Sequence, residues 1–119
     1  MIVAGFGFRS ETTLAALQDA LAQTEGRNVT HLATLVAKAP LLAQLGQALG
    51  LPVIALPPEM LRGQPVLTQS DRVQALHGTG SVAEAAALAA AGPGARLLGP
   101  RVISSDGSAT AALAERITP

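Results

Sequence analysis

Two short stretches of this chain combine glycines with polar or charged residues in an order that can hold an anion. The first is Gly5-Phe6-Gly7-Phe8-Arg9-Ser10, which follows the apolar Ile2-Val3-Ala4. Where a strand ends, glycines open the backbone and a helix begins, free N–H groups and the positive end of the helix dipole converge on one spot. Arg9 adds a planar guanidinium that matches a carboxylate or a phosphate. The same glycines have a plainer use, since they also permit a tight turn and close packing of helix on strand. The second stretch is Gly78-Thr79-Gly80-Ser81, leading into Val82-Ala83-Glu84. Its S-x-x-E spacing has the form of a capping box, which by itself accounts for Ser81 and Glu84. The N–H groups the cap leaves over can still face an anion. If both helices start from the same edge of a sheet, the two loops flank one crevice, the place where open α/β sheets bind ligands.

Three further residues could take part in chemistry. Lys38 ends an apolar run just before Pro40, and either is solvated there or points into the crevice. His77 borders the second loop and could act as a general acid or base. Glu84 is a third candidate general base, already occupied if the capping box forms. His31 alternates with apolar neighbours and reads as structural. With two separated histidines and no cysteine, no metal site is expected. No nucleophile–histidine–acid set and no G-x-S-x-G elbow is present. A dinucleotide site is disfavoured, because Ser10 replaces the third glycine of G-x-G-x-x-G and no acidic residue ends a second strand. A P-loop lacks its Gly-Lys-Ser/Thr ending.

The elements that must position these residues follow from apolar spacing. Ile2 to Phe8 reads as a buried strand running into a glycine turn. Ser10 is the expected N-cap of a helix from about Glu11 to Gln23, with Leu14, Leu17 and Leu21 at helical spacing. Val29 to Ala37 is a second strand. Pro40 opens a helix whose stripe is Leu41, Leu42, Leu45 and Leu49, closed by Gly50. Val53 to Leu56 is a third strand, followed by a short helical turn around Glu59 to Arg62. Ser70 caps a short helix through Leu76, and Ser81 caps an Ala-rich helix that Gly92-Pro93-Gly94 ends. Ala95 to Leu98 and Arg101 to Ile103 are short strands. Ser105-Asp106-Gly107-Ser108 turns the chain so that Ser108 to Ala114 returns as a hairpin arm. Strands alternating with helices predict a three-layer α/β/α domain with a mixed, largely parallel sheet and a C-terminal hairpin.

Composition narrows the partners. The 119 residues fit one domain, 1–119, and 49% of them are hydrophobic. Aromatics are only 2%, Phe6 and Phe8, so stacking platforms for nucleic acid are missing. Eight Lys plus Arg balance eight Asp plus Glu, which gives no basic footprint for nucleic acid or membrane. Zero net charge leaves little self-repulsion, so a homodimer is open. The N-terminus carries no basic region before its apolar run, and a cytoplasmic protein is expected.

With these residues in order, the chain resembles the CobE/CbiG C-terminal domain family of cobalamin (vitamin B12) biosynthesis. Three segments carry the resemblance: Val3 to Arg9; Leu32-Ala33-Thr34 leading to Lys38, a Leu-rich helix and Leu49-Gly50-Leu51-Pro52; and Gly78-Thr79-Gly80-Ser81 through Leu88, followed by Ala91-Gly92. Pro100-Arg101 and Thr110 to Ala114 sit where the family has them. The family's first motif often reads Gly-x-Gly-Cys-Arg-Arg-Gly; here Phe8 stands at the Cys, Ser10 at the second Arg and Glu11 at the last Gly. Cysteine chemistry is therefore excluded. Arg101 stands where a lysine is common.

The resemblance implies a stand-alone protein of the corrin pathway, without the further N-terminal region of the lactone-opening members. It implies a corrin or precorrin intermediate as ligand, with no cofactor. Other cobalamin-pathway enzymes are the implied protein partners. The ligand residues on this reading are Gly5, Phe6, Gly7, Phe8, Arg9, Ser10, Lys38, Gly78, Thr79, Gly80, Ser81 and Arg101. A precorrin carries a rim of acetate and propionate groups, which helix N-termini, Arg9 and Lys38 suit. Its apolar face suits Phe6 or Phe8. Two alternatives stay open: a hydrolase opening a precorrin lactone with Lys38, His77 or Glu84, and a module that docks on pathway enzymes.

Overall fold

Strand β1, Ile2–Phe8, is apolar on both faces, and both faces are covered. Val3 joins one core cluster, while Ala4 and Phe6 join the other. That alternation is the period of two of a strand buried between helical layers. The computed structural model describes residues 1–117. Strands β2, His31–Leu35, and β3, Val53–Leu56, extend the sheet in parallel from β1, with Val3 opposite His31 and Leu32 opposite Val53. β4 and β5 are two-residue strands, Arg96–Leu97 and Val102–Ile103. β6, Ala109–Glu115, lies antiparallel along the whole of β1, from Ile2 opposite Glu115 to Phe8 opposite Ala109. β4 and β5 both pair with its far side, so the order is β3-β2-β1-β6-β4 with β5 also beside β6.

Helices α1, Leu14–Gln23, and α2, Ala39–Leu49, cover one face. Leu17, Leu42 and Leu45 pack there with Phe6, Leu32 and Leu113. Helix α4, Val82–Ala91, covers the other face and buries Ala85, Ala86, Ala87 and Leu88 with Val3, Ala33 and Ala114. The short α3, Asp71–His77, has no buried residue. This is the expected three-layer α/β/α arrangement with a mixed sheet and a hairpin between β5 and β6. Parallel pairing is confined to β1, β2 and β3, because β6 returns beside β1 and not at the sheet's edge.

The Ala-rich face of α4 and the glycines of β1 are complementary. A Cβ on Gly5 would lie 2.1 Å from the Ala83 carbonyl oxygen and 2.5 Å from the Ala87 nitrogen. Gly5 therefore serves helix–strand approach. Gly50 has the positive φ of a helix-terminating glycine, 69°, and donates its N–H to Gly46.

One helix start and one strand end differ from expectation. Ser10 does not cap α1; Thr13 does, accepting from the Ala16 N–H at 3.1 Å. Residues Arg9 to Thr12 form a turn instead, with the Thr12 N–H donating to the Arg9 carbonyl. Thr12 is drawn into it by a tertiary contact, its Oγ1 lying 2.5 Å from Ser108 Oγ. The second strand is also shorter than 29–37, since Val36–Lys38 forms a single 3-10 turn. Among the described residues no helix is long and apolar enough to cross a membrane.

Candidate functional site

The carboxyl ends of β1, β2 and β3 lie on one edge of the sheet, because the three strands are parallel. Helix α1 follows β1 there. Helix α4 also starts there, since a Cβ on Gly7 would lie 3.2 Å from Val82 Cβ and 3.4 Å from the Ala83 nitrogen. The first glycine loop and the residues bracketing the second, His77 and Val82, therefore meet at one crevice. It holds a cavity of about 290 Å³. Gly7, Phe8 and Arg9 form one wall, and His77 and Val82, on either side of the second loop, form another. The β5–β6 hairpin supplies Ile103, Gly107, Ser108 and Thr110.

The charged groups of the cavity are of one sign. Arg9, Arg72 and Arg101 line it together with His77, and none of the lining residues is acidic. Lys38 stands just outside, half-buried, with its Nζ 5.6 Å from the centroid of the Phe8 ring. That cation–π contact holds the lysine at the edge where β2 ends. Apolar area comes from Phe8, Val73, Leu76, Val82 and Ile103. Leu76 and Ile103 are exposed.

The loops do not contribute as uniformly as their sequences imply. Gly5 and Phe6 are buried in the sheet's packing and do not line the cavity. Ser10 is exposed and outside the lining. In the second loop Gly78 has φ 72° and terminates α3. Thr79, Gly80 and Ser81 are buried and lie outside the lining. Gly80 is covered by the chain before α3: its carbonyl accepts the Ser70 N–H at 3.0 Å, and a Cβ there would meet Thr68 and Gln69. So the second loop supports the cavity wall from behind.

Glu84 departs furthest from its expected role. The Ser81 hydroxyl does cap α4, accepting the Glu84 N–H at 3.2 Å. The Glu84 side chain does not return to Ser81, so the reciprocal half of the box does not form. It is fully buried. Its Oε1 accepts the Leu67 N–H at 2.5 Å and the Thr68 N–H at 3.0 Å. Its Oε2 accepts the Thr68 hydroxyl and, at 2.9 Å, the Arg101 N–H. Burial pushes the carboxyl pKa up, but these four donors outweigh it and hold the group below the usual glutamate value. Donors from two distant segments win over the local box because they are numerous and desolvated.

A second carboxylate network fixes the hairpin side. Asp106 Oδ1 accepts from the Ser104 hydroxyl and from the Ser108 N–H and hydroxyl at 2.7 to 2.9 Å. Ser108 in turn meets Thr12, and its carbonyl accepts the Arg9 N–H at 3.0 Å. The backbone of Arg9 is thereby tied to the hairpin. Asp19 accepts the Ser105 N–H at 2.6 Å, anchoring the hairpin to α1. The Ser105 contact lowers the Asp19 pKa, and the Ser108 N–H lowers that of Asp106.

Sequence reasoning missed Arg72, Val73, Leu76, Val82 and Ile103. Arg72 and Leu76 lie on a short solvated helix, and no local pattern separates them from ordinary surface residues. Only the fold brings α3 over the end of β1.

Comparison with known proteins follows the same lines. Residues 2–114 match the family described as cobalamin synthesis G C-terminus. The chain is similar to the crystal structure of CobE, a protein from the cobalamin (vitamin B12) biosynthetic pathway. Identity is 36%, with a TM-score of 0.86, over 100% of this chain and 92% of that one. It is also similar to the cobalamin biosynthesis protein chiG from Agrobacterium tumefaciens str. C58. There the identity is 34% and the TM-score 0.74, over 99% of this chain and 100% of that one. Among curated proteins none matches.

Proposed function

Because the chain belongs to the cobalamin synthesis G C-terminus family, and so to cobalamin biosynthesis, we propose that it binds a corrin or precorrin intermediate at the cavity beyond β1 and acts as its carrier. The observation that carries this reading is the one-signed cavity: three arginines and a histidine, no acidic side chain, and apolar residues between them. A tetrapyrrole acid presents the complement, an apolar macrocycle edged by carboxylates. Arginine forks take carboxylates two hydrogen bonds at a time. Phe8, Val73, Leu76 and Ile103 offer cover for the macrocycle edge.

Size supports carriage. A volume of about 290 Å³ admits an edge of a macrocycle, not the whole of it. The opposite edge stays in solvent, where a pathway enzyme can reach it. Hydrolysis draws less support, since Glu84 has both oxygens engaged and does not line the cavity.

The test is titration of the protein with hydrogenobyrinic acid, followed by absorbance and co-elution. Micromolar binding with a spectral shift is expected. An unchanged spectrum and separate elution at that concentration would exclude the corrin reading.

A further inference from the structure

Glu84 is the buried ionisable group for which ligand contact supplies no role. It does not line the cavity, yet each segment it binds leads directly into a cavity wall. Oε2 holds the backbone N–H of Arg101, whose side chain lines the cavity. Oε1 and Oε2 together hold Leu67 and Thr68, three and two residues before Ser70. Ser70 lines the cavity and caps α3, accepting the Val73 N–H at 3.3 Å. Helix α3 carries Arg72 and His77 and has no fully buried residue; its one contact with the core is the half-buried Val73. Its placement therefore depends on that contact and on its ends. One end is Gly78; the other is the Ser70 N–H on the Gly80 carbonyl, next to the Glu84 contacts.

We infer that Glu84 is the positioning residue of the cavity: one buried carboxylate on the first turn of α4 places Arg101 and the segment entering α3, and so sets the spacing of two arginines that grip the ligand. This deepens the carrier reading and rests on it for the ligand. The positioning itself is a property of the free protein. An all-apolar first turn would pack α4 equally well, but it would leave the N–H groups of Leu67, Thr68 and Arg101 without acceptors. A carboxylate is the side chain that can accept all four donors at once.

Two experiments decide it. Amide hydrogen exchange on the ligand-free protein reads the positioning alone. The amides of Leu67, Thr68 and Arg101 should exchange about a hundredfold or more slower than unprotected amides. Thr68→Val, which removes one donor and keeps the carboxylate, should speed Leu67 and Arg101 while leaving β1 unchanged. Free exchange of these three amides in the wild type would overturn the inference, whatever the ligand proves to be.

The second experiment titrates hydrogenobyrinic acid into wild type, Glu84→Gln, Arg101→Ala and the double variant, with circular dichroism to check folding. Glu84→Gln should weaken binding about tenfold, and Arg101→Ala should add little in that background. A folded Glu84→Gln with wild-type affinity, or full additivity, would overturn the inference. If Glu84→Gln does not fold, the same cycle is run with Thr68→Val and read in the same way. A wild type that does not bind fails the corrin reading, while the exchange experiment still judges the positioning.

Discussion

At the scale of single residues, the cavity's arginines and its buried glutamate obey different rules. Arg72 and Arg101 line the cavity, whereas Arg27 lies exposed in the turn between α1 and β2, at the other edge of the sheet. Arg72→Ala and Arg101→Ala should each weaken hydrogenobyrinic acid binding about tenfold, roughly 1.4 kcal/mol, in fluorescence or absorbance titration, with Arg27→Ala unchanged. Glu84 acts on stability. Its folded pKa is depressed, so its contribution is fully present above the unfolded value of about 4.3 and is lost as pH falls through the lower folded value. Near pH 7, Glu84→Gln should cost about 2–3 kcal/mol in urea unfolding. The gap to wild type should narrow steadily below about pH 4. A gap that is constant with pH would show that the carboxylate's charge is not what the four donors need. The charge pattern of the sequence located neither behaviour. Ser81 and Glu84 read as a closed local box, and the donors that claim Glu84 come from residues 16 and 17 positions away. Arg9 was legible, because it directly follows a strand that runs into glycines.

At the scale of elements, local signals succeeded where nothing distant competed. Val53–Leu56 and the run ending at Leu49-Gly50 were readable because apolar spacing and a left-handed glycine define them without help. The start of α1 was not, since Ser10, Thr12 and Thr13 are all suitable caps and the choice is made by Ser108 taking Thr12. Thr13→Ala should therefore cost about 1 kcal/mol of stability and Ser10→Ala nothing measurable, by thermal or urea melts. The two glycine functions separate in the same assay. Gly5→Ala puts a methyl against the backbone of α4 and should cost about 3 kcal/mol or more. Gly50→Ala meets no atom within 4 Å and should cost only its left-handed backbone, about 1–2 kcal/mol. Equal losses at the two positions would contradict the close approach of α4 to β1.

At the scale of the whole molecule, zero net charge conceals a polar distribution. Arg9, Arg72, Arg101 and His77 line the cavity with Lys38 beside it, whereas the nearby acids Glu84 and Asp106 lie outside the lining with their carboxylates taken up by hydrogen bonds. Binding of a polyacid there should weaken about tenfold or more between about 0.05 and 0.5 M salt, although the chain as a whole is neutral. Salt-independent binding would mean that apolar contact alone holds the ligand. The layered architecture was legible from the alternation of strands and helices. The central position of β6 was not, because a hairpin arm that joins β1 and one that stays at the edge share the same local pattern.

That central position has a consequence for covalent topology. β1 begins where β6 ends, and the two are tied by the Met1 amino group on the Arg116 carbonyl at 3.2 Å and the Arg116 N–H on the Met1 carbonyl at 2.9 Å. Their other ends, Phe8 and Ala109, meet at the cavity side. Start and finish of the fold thus share one corner, a full strand's length from the cavity. A short linker can close them into a ring, and new ends cut between the exposed Arg27 and Asn28 leave both core layers continuous. A tether, a label or a fused neighbour attached at that corner leaves the cavity open, so the protein can be held by one end while it loads and unloads at the other.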